Sequence, residues 1–223
     1  MPRSVLPWSR LTAEFLVIVV GVLVALAVDA MVERREERRR ERAYIEELRV
    51  EVDGLGEILE SIVESGTALR ETQQKVIDGL AAPVIPPADS MGHWFDRSLR
   101  TSTFRPYTPI ADALIETGDL SLILDDDVRR AVIAYRSAAA GARDILDNFS
   151  QMTMDTYARI SRRVDRPRAA RGDVDWQDLA DDIAFRGDFS TYAAASRGQG
   201  SNFQRTLDAV TDLRTLLDVR SGR

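Results

Sequence analysis

The stretch LTAEFLVIVVGVLVALAVDAMV, residues 11 to 32, constrains this chain more than any other, because it alone is apolar enough to prefer lipid to water. Every residue from Phe15 to Val28 is apolar or glycine, and as a helix this run covers about 21 Å. Counted from Leu11 to Val32 the helix reaches about 33 Å, enough for the roughly 30 Å of bilayer hydrocarbon. The longer count takes in Glu14 and Asp29 near its two ends. They read as boundary residues at headgroup depth or, alternatively, as intramembrane polar contacts with a partner helix. Trp8 suits the interface. The rival is a cleaved secretory signal with Arg3 and Arg10 as its basic start and Val28 and Ala30 as its small-residue site. Glu14, directly before the apolar core, and the arginines directly after Ala30 favour an uncleaved anchor.

Past the anchor the 223-residue chain has room for one ordinary domain and a long stalk. The net charge of −6 gives nucleic acid no electrostatic footprint over the chain as a whole. Cysteine is absent, which removes disulfides, thiolate zinc ligands and thiol catalysis without naming a compartment.

VERREERRRERAYIEEL, from Val32 to Leu48, has no breaker and pairs Glu36 with Arg40 and Arg42 with Glu46 at i,i+4 spacing, so the helix is expected to continue. Six arginines between Arg34 and Arg42, against Arg3 and Arg10 before the span, place the C-terminal side in the cytoplasm. A heptad seam then runs through Ile45, Leu48, Val52, Leu55, Leu59, Ile62, Gly66, Leu69, Gln73, Val76 and Leu80. Gly54, Gly56 and Gly66 weaken it locally. Pro83, Pro86 and Pro87 end it.

Ser90 reads as the cap of a short helix through MGHWFDRSL, and Pro109 opens another, PIADALIETGDL, closed by Gly118. Asp125, Asp126 and Asp127 read as the charged start of a long helix to about Ser161, not as a metal site, since consecutive aspartates point in different directions. The sole histidine, His93, has no second ligand near it in sequence and reads as structural. RRVDRPRAARGDVDWQ is expected to be a basic loop, in which Arg166, Arg168 and Arg171 are the candidates for binding an acidic partner. A short helix from Trp176 to Phe185 precedes Gly187, and the three-four rhythm returns through Phe189, Tyr192, Ser196, Gln199, Phe203, Leu207, Val210, Leu213 and Leu217. No strand-like alternation of useful length occurs, so the expected fold is all-α: a single transmembrane helix continuing into a long helix, then an antiparallel bundle. The boundaries are 1–32 for flank and span, 33–80 for the stalk and seam, and 81–223 for helices packing back on 45–80.

The seam has two candidate partners. Antiparallel to the last helix, with residue numbers summing to about 269, Leu80 faces Phe189, Leu59 faces Val210, Val52 faces Leu217, Gln73 faces Ser196, and Gly66 faces the large Phe203. This is favoured over a parallel homodimer through the same stripe.

AEFLVIVVGVLVALAVDAMVERREERRRERAYIEELRVEV and ALIETGDLSLILDDDVRRAVIAYR resemble a family of uncharacterised bacterial membrane proteins known only as a domain of unknown function. The resemblance implies one inner-membrane span followed by a helical domain, and assigns no catalytic residues. This chain lacks that family's long basic leader and its Trp after the span. Three functions are then weighed. The favoured one is a membrane-anchored module, in contact with the bilayer, that binds a protein partner or organises a complex. Next is a sensory bundle with a ligand pocket near Trp94, Tyr107 and Tyr135. An enzyme ranks last, since no nucleophile and base are paired and no cofactor or metal motif stands out.

Overall fold

The computed structural model describes residues 8–100 and 102–221, and all of its regular structure is helical. Seven α-helices are present: α1 Trp8–Ala81, α2 Ala88–Ser98, α3 Pro109–Glu116, α4 Asp126–Arg163, α5 Arg166–Ala170, α6 Trp176–Asp181 and α7 Ile183–Ser221. A 3-10 turn, Asp119–Leu122, follows α3. The chain divides into two units, Met1–Glu46 and Glu47–Arg223, with the boundary inside α1.

In the first unit the side chains of Leu11 to Glu14 and of Val17 lie outside those described, as does that of Trp8. Among the described residues no helix is long and apolar enough to cross a membrane. The expected span from Leu11 to Val32 thus falls partly outside the described residues. Apart from the half-buried Val19 and Ala30, those of its side chains that are described lie open: Phe15, Leu16, Leu23 and Leu26 are 69%, 63%, 60% and 59% exposed.

The second unit is built on the long helices. The seam packs antiparallel to α7, as its spacing predicts: Arg49 Nη2 donates to the carbonyl of Leu217 at 2.8 Å, and Arg214 Nε pairs with Asp53 at 2.9 Å. Leu48, Val52, Leu59 and Val76 from α1, and Phe189, Tyr192, Val210, Leu213 and Leu217 from α7, are buried. Helix α4 packs along α7 through its small residues, close enough for Thr206 Oγ1 to donate to the carbonyl of Ala138 at 3.2 Å. Near the proline end of α1, Phe95, Trp176, Phe185 and Phe189 gather with Val76, Leu80 and Met91. Ring centroids there lie 5.5 Å apart for Phe95 and Trp176 and 6.0 Å apart for Phe95 and Phe189.

The local signals explain most helix ends. Asp125 caps α4, its carboxylate accepting from the amides of Asp127 at 2.9 Å and Val128 at 3.2 Å. Gly118 follows α3 at φ 81°, a left-handed conformation that a side chain would strain. Four expectations need correction. Helix α2 starts at Ala88, where the carbonyl of Pro87 accepts from Ser90 and Met91, so Ser90 lies within the first turn and not at the cap. The basic stretch after Arg163 is not simply a loop: Asp165 caps α5, whose first turn accepts Pro167. Helix α4 ends at Arg163 and not Ser161. Helix α7 begins at Ile183, because Asp182 accepts from the amides of Ala184 and Phe185 at 2.9 and 3.0 Å. Gly187 is therefore an exposed position inside a helix rather than a break.

Candidate functional site

Between Leu59 and Val76 the seam loosens. Ile62, Gly66 and Leu69 are only half-buried, and a β-carbon built on Gly66 would meet nothing within 4 Å. The expected filling of Gly66 by Phe203 is thus not what happens. Phe203 is buried, but α1 and α7 stand apart here and enclose a cleft of about 440 Å³. Ile62, Leu69 and Phe203 supply its apolar wall, Ser61, Ser65, Thr72 and Gln199 its polar wall, and Arg97 and Arg100 join them from the end of α2.

The polar groups around the cleft are held differently from one another. Gln199 Nε2 donates to the carbonyl of Ser102 at 2.7 Å, while Thr72 and Ser196 bond back to carbonyls of their own helices. Gln73, buried behind this wall, donates to the carbonyl of Ser98 at 3.1 Å. It therefore does not pair with Ser196, and its Oε1 has no partner among the described residues. The sequence could not reveal that partner, because Ser98 reaches Gln73 only through the fold of α2.

A second surface lies between α4 and α7, an open groove of about 730 Å³ with Ala131, Ala134 and Ala209 along it and Asp127, Arg130, Arg205 and Asp208 beside them. Alanines on both helices leave space for a third helix to approach, and mixed charge on the flanks suits a polar rim.

Glu51 of α1 marks a junction that sequence reasoning missed. Its carboxylate accepts from the Ile110 amide at 2.6 Å and from the Tyr135 hydroxyl at 3.1 Å, so it caps α3 from another helix. Burial, which outweighs these hydrogen bonds, raises the Glu51 carboxyl above the usual glutamate range. Burial and the adjacent Glu51 charge push the Tyr135 hydroxyl well up. Glu51 lies between the seam residues Leu48 and Val52 and carries no sequence signal of its role.

The residues singled out from sequence fall as follows. Tyr135 is buried against Glu51, Trp94 packs on the aromatic cluster, and Tyr107 is 72% exposed. None of the three lines the cleft around Gly66. Arg166 pairs with Asp96 at 2.7 Å and holds that carboxyl below the usual aspartate range. Arg168 donates to the carbonyl of Asp173 at 3.2 Å, and Arg171 pairs with the Asp173 carboxylate at 3.2 Å. These three cations are engaged within the chain. Asp126 and Asp127 pair with Arg129 and Arg130, and no cluster that could hold a metal ion occurs among the described residues. His93 and Asp29 are exposed, and the Glu14 side chain lies outside those described.

No protein-family model, curated protein or solved structure matches the chain. Its function is therefore argued from its own geometry.

Proposed function

We propose that this chain is a single-pass, membrane-anchored helical module whose folded unit binds a protein partner or organises a membrane complex, without catalysis of its own. One observation carries the reading. Of the large apolar side chains described between Phe15 and Val28, all but the half-buried Val19 are exposed, and they lie on every face of α1, not along one stripe. An amphipathic helix would bury its stripe against protein, whereas a helix apolar all round needs an apolar medium. Counted over the whole sequence, Leu11 to Val32 has the length for a span, and the arginines of 34–42 favour a cytoplasmic C-terminal unit. The alanine-lined groove between α4 and α7 is the candidate face for the partner.

Extraction of membranes with alkaline carbonate tests the anchor. The chain should stay in the pellet, and replacing Val20 and Leu23 with arginine should release it, since each arginine near the centre costs ~3 kcal/mol on the insertion scale. Release of the unaltered chain by carbonate would overturn the proposal. Placing a cysteine at the exposed Ala170 then reads orientation, because labelling by an impermeant reagent on intact cells would put the folded unit outside.

A second reading, a bundle that takes a small ligand, is favoured by the cleft around Gly66. On this reading the pocket is that cleft, which Trp94, Tyr107 and Tyr135 do not line.

A further inference from the structure

We infer that the cleft around Gly66 binds a small amphiphile with one negative charge, an aryl or alkyl carboxylate, its apolar body against Phe203 and its acid on Arg97 and Arg100. This rests on the second reading above, that the bundle takes a small ligand. Failure of the inference leaves the carbonate test of the anchor untouched.

The shape comes from a fault in an otherwise tight pair of helices. Leu59 and Val76 are wholly buried on α1, and Val210 and Tyr192 answer them on α7. Between these closed ends the glycine leaves one side of the interface without atoms. Empty space of this kind forfeits contacts on every side chain that lines it. About 440 Å³ lies within the range of small-molecule sites.

The charge comes from what lines it. The chain carries 36 acidic residues and a net charge of −6, yet none of the cleft's lining residues is acidic, and two are arginines. The Arg97 guanidinium makes no hydrogen bond or ion pair among the described residues. Arg100 is held only by an exposed contact to Asp96 at 3.4 Å, worth little in water. Ser61 and Ser65 add hydroxyls that are not engaged by other described side chains, whereas Gln199, Thr72 and Ser196 are already committed. The uncommitted groups are thus chiefly donors, which suits a carboxylate. The apolar wall of Ile62, Leu69 and Phe203 requires a body to cover it, so a bare inorganic anion does not meet both halves of the site.

An aryl acid in solution and a fatty acid leaving a bilayer share this chemistry, and two probes separate them. The full chain in lipid nanodiscs is titrated calorimetrically with 3-phenylpropanoate and with octanoate, each beside its neutral amide, with empty nanodiscs subtracted. At least one acid should bind saturably, one per chain, and its amide about tenfold more weakly or worse. Preference for 3-phenylpropanoate points to a soluble source and preference for octanoate to a lipid one. The Arg97→Gln, Arg100→Gln double variant should lose about tenfold in affinity for the acid and little for the amide. Gly66→Leu should abolish binding while its melting temperature stays level or rises, because the space for the side chain already exists. Neither acid binding saturably, acid and amide binding alike, or Gly66→Leu binding as the unaltered chain does would each overturn the inference.

Discussion

A β-carbon on Gly92 would stand 1.8 Å from the carbonyl oxygen of Ala169, so α2 and α5 approach more closely than any side chain at that position permits. The atom in the way is backbone and cannot rotate aside. Gly92→Ala should therefore force the two helices apart and cost ~1 to 3 kcal/mol. Chemical denaturation measures this directly, and a variant as stable as the parent would show that α5 is not docked there. Gly66→Ala is the control, since its β-carbon meets nothing within 4 Å.

Glu51 predicts a pH dependence. Its carboxyl is raised in the folded state relative to the unfolded chain, chiefly by burial, so folding takes up protons as pH falls. The stabilising contribution is complete below the ordinary glutamate value and is lost as pH rises through the raised folded value. On going from pH 7.5 to 4.5 the parent should gain stability relative to Glu51→Gln, which does not titrate. Parallel curves for the two proteins across that window would refute the burial account.

The antiparallel register predicts a cross-link. A β-carbon on Gly56 would lie 3.2 Å from Val210 Cγ1, close to the spacing of a β-carbon and the far sulfur in a disulfide, with only the flexible end of Arg214 to displace. The chain has no native cysteine, so Gly56→Cys with Val210→Cys should oxidise within one chain. Mass spectrometry of the monomer band reads the bond. Cross-linking solely between chains would favour the homodimer through the same seam.

The acidic triplet at the start of α4 divides into one cap and two exposed pairs. Asp125→Ala should cost ~1 kcal/mol through loss of the cap. Asp126→Ala and Asp127→Ala should each cost less, because their arginine partners lie at the surface. Equal losses at all three positions, or a stability that responds to added divalent metal, would contradict capping.

Rules that act within a few residues were legible from the chain alone. The three-four spacing from Ile45 to Leu80 predicted a helix running to the prolines and its antiparallel match to α7, because side-chain direction repeats with the helix turn. Asp125 and Gly118 were read correctly because a cap is settled by its own neighbours. The tertiary structure decided what happens where distant segments meet. Gly66 opposite Phe203 looked like a filled hole, but the separation of two helices depends on all the side chains along them, and here it leaves a cleft. Gln73 bonds Ser98, Arg166 bonds Asp96, and Glu51 caps α3 for the same reason: each partner is brought in by the placement of a short helix that no local pattern specifies. The sequence by itself determined that the long helices run where they do, to within a few residues, and which face of the seam is buried. Only packing determined how close they come and which polar groups are left to meet a ligand.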